Sequence, residues 1–257
     1  MTEPWTLFRF RQINDSLWYE LLQSSIFHSA PEDFNDPFDC RVDTEKALIR
    51  ALSADLSQER RTALEDIQRK FRAKRPSEFD LGVCCFTNNA EDPLMWAHYA
   101  DMHRGVCLTY KFPPTYFSDR YPPSDTAPYF VGCEAVSYGD DAYTDWLING
   151  DLQVEHDEPI ERAASRTLVS KADCWRHEEE FRTVTSRSKW AMHFEPHFLK
   201  QVIFGLRTSD NDKRKVGAIA LRNNPDVAFM QATVSDKRDF RLEFPEVRFA
   251  TRDTVGG

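Results

Sequence analysis

Apolar residues recur at two periods along this chain, and each change of period marks a new element. Alternation over residues 6–11 predicts a first strand, with Phe8 and Phe10 on one face and Leu7, Arg9 and Arg11 on the other. Asn14 or Asp15 can cap a short helix running to Leu22, and residues 25–29 read as a second short strand. Leu48, Leu52, Leu56, Leu64, Ile67 and Phe71 fall at near-helical spacings. They predict helix over 44–75, broken around Leu56-Ser57 and ended by Pro76. The continuous apolar run over 80–87 predicts a buried strand. Asp92 as cap and Pro93 at the first helical position start a short helix over 93–101, followed by a strand over 106–112. Residues 113–128, rich in Pro, Tyr and Ser, read as a loop or lid. Further strands are expected over 133–138 and 198–206, an irregular stretch over 139–154, and helices over 158–171 and 210–222. A terminal hairpin of 227–234 and 240–244 is expected around a polar turn, and the last residues, 251–257, are expected to be frayed.

Strands outnumber helices outside one helical stretch, without regular strand–helix alternation. The expected fold class is therefore α+β: a mixed, mainly antiparallel sheet core within a single domain over 1–257, with a helical insertion over 44–76 and one cleft. At 257 residues and 41% hydrophobic, the chain can bury a sizeable core. Nine glycines in no G-x-G-x-x-G or P-loop order argue against a glycine-rich phosphate loop. A net charge of -9 argues against general affinity for nucleic acid or an anionic membrane. Six scattered cysteines with no C-x-x-C pair fit buried thiols rather than a zinc site. With no signal-peptide pattern and no membrane-length apolar run, a soluble cytoplasmic protein is expected.

The chemistry concentrates at Trp175-Arg176-His177-Glu178-Glu179-Glu180-Phe181-Arg182. Read as a strand, it places Glu178, Glu180 and Arg182 on one face, with Phe181 and Val184 on opposite sides. Paired carboxylates beside an arginine can hold one group ionised and perturb the other. A solvated edge with ordinary ion pairs is the plainer reading. Arg9 and Arg11 on one strand face could grip a phosphate or ribose, or simply be solvated. Asn35, Asp36 and Asp39 lie in a turn pinned by phenylalanines, able to face a pocket or merely to pack; a metal reading of these carboxylates lacks a clear partner set. Trp96, Tyr99 and His103 recur at helical spacing beside His98 and could wall a planar ligand, although a buried histidine at a helix end is commoner.

The order of these motifs resembles a bacterial family known only as domain of unknown function 2971. The resemblance runs through Phe8-Arg9-Phe10-Arg11, Ser29-Ala30-Pro31, Phe34-Asn35-Asp36-Pro37-Phe38-Asp39, Cys85-Phe86 and Met95-Trp96-Ala97-His98-Tyr99-Ala100-Asp101 with His103 and Gly105. It continues in Lys171, Trp175, Glu178, Glu180, Phe181 and Arg182, then Val202-Ile203-Phe204-Gly205 and Met230-Gln231-Ala232. The layout is also similar to that of ADP-ribosyltransferases of the toxin and anti-phage kind. That likeness implies NAD as co-substrate and no metal. It implies Glu180 as the catalytic late-strand carboxylate, with Glu178 orienting the acceptor. Arg9 or Arg11 would contact the nicotinamide-side ribose or phosphate, and Tyr99 with Trp96 would support the nicotinamide. His98, Asn35, Asp36 and Arg182 complete the implied NAD-binding set. The chain departs from the pattern in having Gln12-Ile13-Asn14 after strand one, with no ribose-gripping histidine. Its second motif also lies in a helical pattern rather than a strand. The implied partners are an acceptor, protein or nucleic acid, and an antitoxin or immunity protein, with no membrane. The rival readings are a metal-dependent nuclease or hydrolase using Asp36, Asp39, His98 and Glu180, and a non-catalytic defence module that binds a nucleotide or a protein.

Overall fold

The computed structural model describes residues 3–117, 128–152, 159–236 and 241–248. Most of the expected lid over 113–128, part of the terminal turn, and the expected frayed end over 251–257 lie outside the described residues.

Strand β1 (Trp5–Arg11) leads into α1 (Asp15–Gln23), where the Asn14 side chain accepts from the Leu17 N–H at 3.2 Å. β2 (Ser25–His28) precedes a long turn. The expected helical insertion is two helices, α2 (Thr44–Leu52) and α3 (Gln58–Ala73). Ser57 divides them, because its hydroxyl accepts from the Arg60 N–H and starts a new helix. β3 (Gly82–Thr87), α4 (Pro93–Tyr99) and β4 (Val106–Phe112) follow, with Asp92 capping α4 and Pro93 at its first position.

The helix expected over 158–171 ends at Thr167, and Ser170–Lys171 is strand. The strand expected over 133–138 is β5 (Phe130–Ala135) and β6 (Ser137–Tyr138), parted at Val136. The stretch expected to be irregular holds α5 (Ala142–Asn149), which buries Tyr143, Trp146 and Leu147 at helical spacing. Then come α6 (Pro159–Thr167), β7 (Ser170–Lys171), β8 (Glu180–Thr185), β9 (Trp190–His193) and β10 (Leu199–Phe204). The last elements are α7 (Asp210–Asn223), β11 (Ala228–Gln231), β12 (Thr233–Val234) and β13 (Leu242–Glu243). The fold class is α+β with mainly antiparallel strands, as the sequence pattern implied.

The chain divides into two compact units. The first is built from Met1–Phe27, Phe86–Tyr116 and Ala191–Gly257; the second from His28–Cys85 and Phe117–Trp190. In the first, the strand order is β11-β10-β4-β1, and Phe8 of β1 pairs with Thr87 at the end of β3. β1 and β4 are antiparallel over their whole length, Trp5 facing Phe112 and Arg11 facing Val106. β10 runs antiparallel to β4 and parallel to β11. Phe10, Met95, Trp96, Cys107 and Ile203 form a core beside this sheet. β12 and β13 make the expected terminal hairpin.

In the second unit, β8 runs antiparallel to β5, with Arg182 opposite Glu134 and Phe181 opposite Ala135. Every residue of β8 is buried. The helices supply the core: Leu48 from α2, Leu64, Ile67 and Phe71 from α3, Trp146 and Leu147 from α5, and Ala163 from α6. An inner strand buried on both faces has nowhere to place a charge unless it brings the counter-charge with it. β8 carries two charges, which defines the site described next.

Candidate functional site

Strand β8 begins at Glu180, so Glu180 and Arg182 share a face while Phe181 takes the other. Glu178 was expected on that strand and is not. Residues Asp173–Glu178 form 3₁₀ turns, and Glu179 takes a left-handed φ of 44° that breaks the extended backbone. Glu178 nevertheless reaches the same cluster from the turn. Arg182, with no exposed surface, is the hub. Its Nη1 and Nη2 donate to the two carboxylate oxygens of Asp39 at 2.9 and 2.7 Å. Its Nε and Nη2 donate to the two oxygens of Glu180 at 3.0 and 2.7 Å, and Nη1 also donates to the Leu168 carbonyl at 2.7 Å. Lys171 Nζ forms a second hub, 2.5 Å from Glu178, 3.2 Å from Glu180 and 3.4 Å from Asp39. Three carboxylates thus face two cations, all buried.

Desolvation alone would push the Glu180 carboxyl up, but the Arg182 and Lys171 charges outweigh it and leave its pKa lowered. Asp39 behaves in the same way: burial raises it, and the Arg182 fork and the Lys171 charge bring it below the usual range. Burial would lower Lys171, yet Glu180 and Asp39 hold it above its ordinary value. The thiols beside the cluster move the other way. Burial pushes Cys40 up to about 12, and burial next to Glu180 raises Cys85. Neither setting favours the thiolate.

The turn over 34–39 is explained by this hub. Phe34 lies under the Arg182 guanidinium at 5.4 Å, and Asp39 takes the guanidinium fork. Between these anchors, Asp36 accepts from the Phe38 N–H at 2.9 Å, Asn35 is exposed, and the Phe38 ring stands 84% exposed. Asp39 and Lys171, which the sequence did not rank among the principal candidates, are as central as Glu180.

Arg9, Arg11, Trp96, His98 and Tyr99 belong to the first unit. Arg9 and Arg11 converge on one buried carboxylate, Glu20 of α1, at 2.9 and 3.1 Å, and the Tyr110 hydroxyl donates to the same group at 2.7 Å. The arginine pair is therefore a built ion cluster, and any phosphate would have to compete with Glu20 for it. Glu20 was legible as a carboxylate on the apolar face of α1, beside Leu17 and Leu21. Trp96 is a core residue. Its Nε1 donates to the Ala90 carbonyl at 2.8 Å, Phe10 meets it edge-on, and His103 stacks on it at 6.1 Å and 8°. Tyr99 is half-buried and His98 exposed. His103 is not on the helix: α4 ends at Tyr99, and Asp101, Met102 and His103 follow in left-handed conformations, φ 47°, 51° and 67°.

Residues 95–183 match the model of a protein family of unknown function, DUF2971. Over this stretch the chain is similar to that family. No curated protein and no solved structure matches the chain. The DUF2971 stretch takes in the left-handed turn after α4 together with Lys171, Glu178, Glu180 and Arg182, while Phe34 and Asp39 lie upstream of it. Among the described residues, no group of three or more His, Cys, Asp or Glu side chains is placed to hold a metal ion. Nor is any described helix long and apolar enough to cross a membrane.

Proposed function

We propose that the chain is an NAD-dependent ADP-ribosyltransferase in which Glu180 is the catalytic carboxylate. The observation that carries this reading is the state of Glu180: a buried late-strand carboxylate kept ionised and fixed in direction by Arg182 and Lys171. As the bond from ribose to nicotinamide breaks, positive charge builds on the sugar. A preorganised anion in a water-poor setting is the group that stabilises it. The Lys171 contact, at 3.2 Å longer than those to Arg182, is where a ribose hydroxyl would enter. Glu178, tied to the same lysine, would orient the acceptor, whose oxygen or nitrogen forms the new bond to the sugar as nicotinamide leaves. A toxin or anti-phage role, with a protein or nucleic-acid acceptor and a neutralising partner, follows from the same likeness.

A second reading has its own observation in favour. Both oxygens of Glu180 are already engaged and the residue is 5% exposed, which suits an architectural ion cluster in a non-catalytic binding module. Nicotinamide release from NAD, with and without cell lysate, separates the two. The transferase reading expects release by the native chain and its loss in Glu180→Gln. Absence of release together with absence of NAD binding by calorimetry refutes it. NAD binding without release, unchanged in Glu180→Gln, supports the binding module.

A further inference from the structure

The second unit contains a cavity of about 880 Å³ on the far side of Cys40 and Leu168 from Arg182. We infer that it is a binding site for an amphiphilic organic anion: a planar or apolar body carrying a carboxylate, sulfonate or phosphate. The cavity has an apolar floor and a charged rim. Leu48, Phe71, Leu81 and Leu168 are all buried and line the floor. Arg41, Arg72 and Arg75 stand at the rim, exposed.

The arginines carry the argument. Other arginines of the unit have firm partners: Arg50 has Asp141, Arg60 the end of α5, and Arg182 Asp39 and Glu180. Arg41, Arg72 and Arg75 have no ion pair or side-chain hydrogen bond among the described residues, although they line one cavity. Carboxylates line it too, but most are engaged. Asp43 caps α2 and pairs with Lys46, Asp80 accepts from the Ser188 N–H, and Glu32 lies 4.0 Å from Lys189. Glu45 and Glu78 complete the acidic side chains of the wall, but among the described residues none of these carboxylates is ion-paired with Arg41, Arg72 or Arg75, so the guanidinium donors stay open to a ligand. Guanidinium forks recognise planar oxyanions, and a volume of this size suits a ligand of drug or nucleotide scale. Thr44 and Gln68, also on the wall, add polar groups that can fix orientation. Cys40 and Leu168 line the cavity and also touch Arg182, through Sγ at 3.3 Å and the carbonyl at 2.7 Å, so the cavity wall is the outer skin of the ion cluster. The inference does not depend on the transferase reading.

The test uses two fluorescent probes of the same ring size: anilinonaphthalene sulfonate, which is anionic, and phenylnaphthylamine, which is uncharged. The expected result is saturable binding of the sulfonate, one per chain, and weaker binding of the uncharged dye. Arg72→Ala/Arg75→Ala, and separately Arg41→Ala, should weaken the sulfonate about tenfold and leave the uncharged dye unchanged. These side chains are exposed and unpartnered, so all the variants should melt with the parent. The inference is overturned if the sulfonate does not saturate, or if the arginine variants bind it as the parent does. It is equally overturned if both dyes bind alike and lose affinity together.

Discussion

Replacing Arg182 with methionine tests the account of the buried cluster most directly. The substitution keeps much of the side-chain length and removes the guanidinium that holds both Asp39 and Glu180 by paired hydrogen bonds. Removing one partner of a buried ion pair costs about 3–5 kcal/mol, because the remaining charge is left uncompensated. Two carboxylates lose their fork here, but Lys171 still touches both, so the cost stays in that range rather than doubling. The pH dependence is the sharper readout. In the parent, Asp39 and Glu180 have lowered pKa values. Their contribution is therefore complete above the unfolded-state values of about 4 and is lost as pH falls through the lower folded ones. In the variant, burial acts on both with half of the offsetting charge gone, and their folded pKa values rise above the unfolded ones. Stability then falls as pH rises through those raised values. Urea unfolding followed by tryptophan fluorescence at pH 7 and pH 5 should show the variant gaining stability on acidification while the parent stays level. A loss under about 1 kcal/mol at pH 7, or parallel pH profiles, would refute the reasoning.

Three further outcomes follow from the same kind of argument. Glu20→Gln should cost the first unit about 2–3 kcal/mol, seen as a lower urea midpoint, because Arg9 and Arg11 lose their common carboxylate. Gly105→Ala should cost about 1–3 kcal/mol or more in the same assay, since its new Cβ would lie 2.1 Å from the Arg11 carbonyl oxygen, a backbone atom that cannot swing aside. Met102→Gly should leave the melting temperature unchanged or raise it, by up to about 1 kcal/mol of stability: Met102 is half exposed with φ 51°, and glycine relieves the left-handed strain at little packing cost.

What the sequence revealed was local. The split of the long helix at Ser57, the Asn14 and Asp92 caps and the span of β4 all rest on residues within a few positions of one another. Helix α5 was missed although Tyr143, Trp146 and Leu147 have helical spacing, because its eight residues are flanked by Gly139-Asp140-Asp141 and Gly150, which read as loop punctuation. The displacement of Glu178 from β8 turns on a left-handed Glu179, a conformation that a glutamate does not announce. The meeting of Asp39 with Arg182 spans most of the second unit's sequence, and nothing near either residue signals the other. Glu178, Glu180 and Arg182 were read as a group because one strand would put all three on a face, and only Glu180 and Arg182 are on it. Lys171, which balances their charge, comes from β7, a strand too short to be read from sequence.

The order of strands in the first unit also has a consequence for biosynthesis. β4 lies between β1 and β10, and β10 is encoded far downstream, after the whole of the second unit's sequence. Until Leu199–Phe204 has left the ribosome, the side of β4 that will accept β10 is a bare edge on a strand buried at six of its seven positions. Such an edge is a template for pairing with another nascent chain. The second unit, by contrast, has all its residues by Trp190 and can close first. Slow elongation through the second unit should therefore prolong the hazard, and faster elongation or a chaperone that shields β4 should raise the soluble yield.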